Sequence, residues 1–134
     1  MDEKTLAYIA GIIDGEGCIT ILEYGAKQRR NWRLTVSVVN TSEWLVQWLM
    51  LQGFGKVYEI GKTKREKRIW QWRVDGRKAG EFLTLILPYL MIKKSQADVA
   101  LRFQHRRTAT LWQRRTDENI VLDEAESILI HSYK

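Results

Sequence analysis

The sequence predicts an α+β fold, an antiparallel four-stranded sheet with helices on one face, in the order α-β-β-α-β-β-α followed by two more helices. Three observations predict it. Residues 6–17 read as a helix on which Ala7, Gly11 and Gly15 recur every four positions and so share a face. Residues 32–39 are the clearest strand: Leu34, Val36 and Val38 alternate with Arg33, Thr35 and Ser37, the period of a sheet with one apolar and one wet side. The α-β-β unit then occurs a second time, although the two halves hardly match in sequence.

The first helix is capped by Asp2 or Thr5 and ends near Gly17. Residues 19–23 form a strand, and the polar stretch 24–31, with Gly25, turns the chain into the strand 32–39. Asn40-Thr41-Ser42-Glu43 is a helix start, with Asn40 as cap and Glu43 at the third helical position. That helix runs to about residue 52 and stops at Gly53-Phe54-Gly55. A second hairpin follows: strand 56–60, a basic turn 61–67 and strand 68–74. Asp75-Gly76 breaks it, residues 77–87 form a helix stopped by Pro88, and residues 94–107 and 117–133 form the last two helices.

The length of 134 residues suits a single domain, 1–134, with a real core, and a hydrophobic fraction of 45% argues against disorder. There are 22 Lys+Arg against 16 Asp+Glu, a net charge of +6, so an acidic partner is expected, with nucleic acid the usual one. The single cysteine, Cys18, excludes an internal disulfide and a cysteine-based zinc cluster. No apolar run approaches the ~20 residues of a membrane span, and the N-terminus is not a signal peptide. A reducing intracellular compartment that holds nucleic acid is the expected location.

The end of the first helix carries the chemistry. Glycine in a helix interior costs ~1 kcal/mol relative to alanine, so a strip of small residues makes sense where another backbone approaches closely. Asp14 and Glu16 fall in the last turn, where the helix dipole disfavours negative charge. A close helix pair delivering carboxylates to one point is a way to build a metal site.

Ile9-Ala10-Gly11-Ile12-Ile13-Asp14-Gly15-Glu16-Gly17 is similar to the nine-residue signature of the LAGLIDADG homing endonucleases, with Ile for Leu and Gly-Glu for Ala-Asp. The resemblance extends to residues 88–97 and covers about residues 5–105. It implies two signature helices packed along a twofold axis and a divalent metal, magnesium by preference, that serves DNA phosphodiester hydrolysis. A chain with one signature implies a homodimer on a long, partly palindromic duplex, with Ala7, Gly11 and Gly15 at the dimer interface. Members are typically encoded within introns or inteins. A small-molecule substrate is not implied. The alternative is a cleavage-inactive DNA-binding protein or an RNA-splicing maturase on the same scaffold.

The resemblance makes Glu16 the metal-binding and catalytic acid, with Gly15 and Asp14 beside it in the metal set. The acid matching Asp14 is mostly structural in the family, bonding backbone at the paired helix ends. Lys93 matches the lysine that reaches the reacting phosphate or its water, and Lys94 is the neighbour that could serve instead. Asn40 matches an amide that orients the attacking water. It also fits the rule for a helix cap without any catalysis.

Alternation selects the residues for a duplex. Asn31, Arg33, Thr35 and Ser37 share one face, and Thr20, Leu22 and Tyr24 extend it on the first strand. Lys62, Lys64, Arg65, Lys67 and Arg68 crowd the second hairpin turn as phosphate clamps. Gln71 and Arg73 go to the duplex, and Trp70, Trp72 and Val74 to the core. Trp44 and Trp48, four apart, are expected in the core. Trp112 among Arg106, Arg107, Arg114 and Arg115 suggests another phosphate grip. His105 and His131 have no ligand spacing.

Overall fold

A computed structural model describes residues 1–110 and 115–133. Helix α1 (Glu3–Glu16) begins where the Asp2 carboxylate accepts the Thr5 N–H at 2.8 Å. It ends at Gly17, where a Cβ would lie 2.8 Å from Ile13 backbone, so only glycine lets the chain turn directly into the sheet. The elements that follow are β1 (Gly17–Tyr24), β2 (Asn31–Asn40), α2 (Glu43–Leu51), β3 (Lys56–Lys62), β4 (Arg68–Asp75), α3 (Gly76–Ile86), a short 3-10 turn Leu87–Tyr89, α4 (Lys94–Ala109) and α5 (Asp117–Ser132).

The strands lie in the order β1-β2-β4-β3, so the two hairpins join through β2 and β4. All pairs are antiparallel, with Ile19 opposite Val36, Val36 opposite Val74 and Val38 opposite Trp72. Opposed residues point to one side of a sheet. Ile19, Ile21, Leu34, Val36, Val38, Trp72 and Val74 therefore form one apolar face, and all are buried. Ile9 and Ile13 of α1, Val46 and Leu49 of α2, Phe82 and Leu83 of α3 and Phe103 of α4 complete the core over it.

Several expectations are corrected. The cap of α2 is Ser42, whose hydroxyl accepts the Leu45 N–H; Asn40 is still paired with Trp70 in the sheet. Gly61 belongs to β3, which continues to Lys62 through a register shift between Glu59 and Gly61. Lys62 and Arg68 are thus opposed strand ends, not turn residues. Trp44 is not core: Val46 and Leu49 take the buried side of α2, leaving Trp44 65% exposed and stacked on Trp48.

Helix α5 packs against α4 and adds Ile130 to the core. It closes the edge of β1, with Ser127 Oγ donating to Ile21 O at 2.7 Å. Such cover removes an edge that could template pairing with another chain. The helix is held by Asp123, which is fully buried and ion-paired to Arg106 and Arg115. Arg106 also pairs with Glu126. These arginines are engaged inside the protein, which corrects the phosphate grip expected of them; Trp112 and Arg114 lie outside the described residues. No helix among the described residues is long and apolar enough to cross a membrane.

Candidate functional site

Two reciprocal contacts tie the end of α1 to the start of α4. Asp14 Oδ1 accepts the N–H groups of Ile92 and Lys93 at 3.1 and 2.9 Å, and its Oδ2 accepts that of Met91 at 2.9 Å. In return, Lys93 Nζ donates to the carbonyls of Ile13 and Asp14 at 2.9 and 3.0 Å. No basic residue lies in the last turn of α1, so Lys93 supplies the cation that the negative end of the helix dipole favours. Asp14, expected in the metal set, has both oxygens turned to backbone donors, and that geometry is structural. Lys94 is exposed at the first position of α4.

The latch carries a prediction. Hydrogen bonds to a charged group contribute about 1.5–3 kcal/mol each when sheltered, and less when partly exposed. Asp14→Ala is expected to lower the unfolding free energy by about 2–4 kcal/mol, and Asp14→Asn by less, because one amide oxygen still accepts. Urea unfolding measures it; an unchanged midpoint for Asp14→Ala would remove the latch from the stability of the fold.

Glu16 is the last residue of α1 and is exposed. Its Oε2 accepts from Asn40 Nδ2 at 3.1 Å. Asn40 Oδ1 in turn accepts the Ser42 N–H at 2.8 Å, which fixes the orientation of the amide. The strand end therefore holds one oxygen of Glu16 and leaves the other with no hydrogen bond among the described residues. Gly15 is exposed beside it, and a Cβ there would meet nothing within 4 Å. No group of three or more His, Cys, Asp or Glu among the described residues could hold a metal ion. One chain thus offers a single outward carboxylate, too few for an all-protein cage yet suited to a magnesium ion that keeps waters and phosphate oxygens.

The other face of the sheet carries the polar alternation, but unevenly. Leu22, Tyr24 and Arg33 are exposed, and Asn31, Gln71 and Arg73 are half-buried. Thr20, Thr35 and Ser37 are 6%, 3% and 9% exposed, which corrects the expectation that this whole row lies open. Thr35 and Ser37 are short side chains on the inner strand β2 and sit below longer neighbours, whereas Thr20, on the edge strand β1, is covered by α5. Thr35 Oγ1 donates to Asp75 at 2.8 Å, and Thr20 Oγ1 shares a hydrogen bond with His131 Nε2 at 3.3 Å. Asn31 Oδ1 accepts the Trp32 N–H.

Two arginines rise above this floor on aromatic supports. The Arg33 guanidinium lies 5.2 Å from the Tyr24 ring centre, and that of Arg73 lies 5.4 Å from Tyr58. Asp75 also pairs with Arg73 at 3.3 Å. Tyr58 and Asp75 are functional candidates that sequence reasoning passed over, because their partners come from a neighbouring strand or from register. In the second hairpin, Thr63 Oγ1 accepts the N–H groups of Arg65 and Lys67, holding a firm turn from which Lys64, Arg65 and Lys67 project into solvent. Lys62 and Arg68 face Glu66 and Glu59 at 3.5 and 3.7 Å.

The fold and this site define an αββαββα domain with an outward carboxylate at the end of a bare glycine-faced helix, beside a basic polar sheet. The chain belongs to the LAGLIDADG endonuclease family, whose sequence model matches residues 9–104. No curated protein matches the chain by sequence. Among solved structures it is similar to the homing endonuclease I-CvuI in complex with DNA in the presence of Mg, with a TM-score of 0.82 at 19% identity over 98% of this chain and 83% of that one. It is equally similar in fold to the archaeal intron-encoded homing endonuclease I-Vdi141I complexed with DNA, TM-score 0.82 at 13% identity, covering 100% of this chain and 86% of that one. Against the LAGLIDADG homing endonuclease I-GzeII, in complex with its DNA target, the TM-score is 0.66 at 14% identity, and 93% of this chain covers 43% of that one.

Proposed function

We propose that this chain is a homing endonuclease that works as a homodimer and makes divalent-metal-dependent double-strand breaks in a long, partly palindromic DNA site. The observation that carries the reading is Glu16: an outward, half-satisfied carboxylate at the end of a helix whose Ala7-Gly11-Gly15 face is exposed. A Cβ at Gly11 or Gly15 would meet no atom of the described residues within 4 Å. The fold therefore has no internal use for glycine at either place, and a second helix backbone accounts for both. Exposed Met91 and Ile92, 86% and 75% accessible, adjoin the same helix end and add apolar surface for a partner. Coverage of less than half of I-GzeII supports the same view, because one chain then corresponds to one of two units.

In the dimer two Glu16 carboxylates come together where one chain offers too few ligands. A bound divalent cation would polarise the phosphate and lower the pKa of an attacking water. The residues of the chain set the stage. Asn40 orients Glu16, Asp14 fixes the 91–93 segment, and Lys93 places positive charge at the helix end, beside the position of the reacting phosphate. Two related half-sites follow from twofold symmetry.

The test is cleavage of a randomised duplex library with and without magnesium, which also finds the target. Cleavage that needs magnesium supports the reading, and duplex binding without cleavage favours the inactive or maturase alternative. With a target in hand, Arg33→Ala is expected to relax preference at one position of each half-site at a cost of ~1–3 kcal/mol. Lys64→Ala and Arg65→Ala are expected to weaken all sequences alike and to make the salt dependence shallower. A binding profile over every single-base variant at two salt concentrations checks both. Uniform loss for Arg33→Ala would show that β2 is not the reading strand.

A further inference from the structure

Where β4 ends, β2 runs on paired with β1 only, and the notch left beside it opens into a pocket of about 340 Å³ that the sequence did not reveal. Tyr24, Trp32 and Phe103 wall it, Gly76 and Arg77 of the first turn of α3 form one end, and Arg33 and Arg107 project from opposite sides. Three guanidinium groups share this space, and no carboxylate among the described residues lines it. The nearest acid in sequence, Asp75, is engaged elsewhere, one oxygen accepting from Thr35 and the other facing Arg73.

None of the three cations is well compensated. Arg77 is exposed and has no ion pair or hydrogen bond among the described residues. Arg33 rests on the Tyr24 ring. Arg107 reaches only to Asp123, at 3.9 Å, a carboxylate already held closely by Arg106 and Arg115. Burial lowers the pKa of Arg107 from its ordinary value; Tyr24 opposes that shift, and the charge of Arg106 adds a smaller push in the same direction as burial. No side chain caps α3, whose positive dipole end opens on the same space.

We propose that this pocket is a phosphate site, held by Arg77, Arg107 and the first turn of α3, with Arg33 at its rim, and that a backbone phosphate of bound duplex fills it. The duplex occupant rests on the endonuclease reading; the phosphate chemistry does not. Planar guanidinium groups match phosphate oxygens in pairs, and partial burial strengthens the contact. The pocket lies between α4 and the end of the β1–β2 hairpin, and it meets the polar sheet face at Tyr24 and Arg33. A phosphate seated there would set the register of the duplex along the face without reading sequence.

The test has two arms on the full-length protein. In the first, isotope-labelled protein is titrated with inorganic phosphate at constant ionic strength set by chloride, and the Gly76 amide and arginine Nε–H signals are followed. A saturable shift that Arg77→Gln and Arg107→Gln each weaken about tenfold is expected, the scale of one charge-assisted hydrogen bond. No saturation, or the same shift in the double variant, overturns the site. Arg77 is exposed and has no partner among the described residues, so its variant reports even where Arg107→Gln impairs folding.

In the second arm, random-sequence duplex is bound in EDTA over a range of salt. Each variant is expected to lose affinity alike for all sequences and to lower the log–log slope by about 0.9. Phosphate saturation with unchanged duplex slopes assigns the pocket to a free anion and overturns the duplex occupant. A parent protein that binds phosphate but no duplex overturns the endonuclease reading together with that occupant, and leaves the anion site standing.

Discussion

Glu16→Gln is expected to abolish cleavage while duplex binding stays close to that of the parent. The change keeps the shape and the hydrogen bond from Asn40 but removes the charge that a divalent cation needs. A loss of roughly 10²-fold or more in single-turnover rate is the scale for removing one group that meets charge developing in the transition state. The side chain is exposed, so folding stability is expected to change by less than about 0.5 kcal/mol. Its sign should be favourable, because an acid leaves the negative end of a helix. Cleavage in magnesium and binding in its absence are the paired measurements. A variant that cuts near the parent rate takes Glu16 out of the mechanism.

Gly11→Leu is expected to destroy the dimer and to leave the protomer folded. A Cβ at this position meets nothing among the described residues of its own chain, so in the proposed dimer the added bulk falls on the partner helix. Leucine is also a better helix former than glycine by roughly 0.8–1 kcal/mol. The isolated protomer should therefore unfold at the same or a higher temperature even as double-strand cleavage disappears. Sedimentation at micromolar concentration together with thermal unfolding separates this from general damage. A parent that sediments as a monomer contradicts the proposal, as does a variant that still cuts both strands.

Most of the architecture was readable from local patterns. The alternation of Leu34, Val36 and Val38 placed the apolar face of the sheet, and Trp72 and Val74 fell on it as read. The ends of elements were less readable, because neighbouring residues compete for one role. Asn40 and Ser42 are both good caps, and only the pairing of Asn40 with Trp70 excludes it from the helix start. Alternation also says which side of a strand a residue faces but not how deep it lies. Thr20, Thr35 and Ser37 face the polar side and are nonetheless buried, Thr35 and Ser37 among taller neighbours and Thr20 under His131 of α5.

The amino-acid sequence by itself determined the order of elements, the family to which the chain belongs, and the acid-ended helix with its strip of small residues. These rest on interactions within a few residues of each other, which leave a periodic trace. The tertiary structure decided what the acids and cations do. Asp14 binds the backbone of residues 91–93, Lys93 neutralises the carbonyl end of α1, and Asn40 turns its amide to Glu16. Arg106 and Arg115 are drawn inward by buried Asp123, while Arg77 and Arg107 line an open pocket. A charged side chain takes its role from the partner that reaches it, and here those partners come from distant parts of the chain, where no local pattern records them.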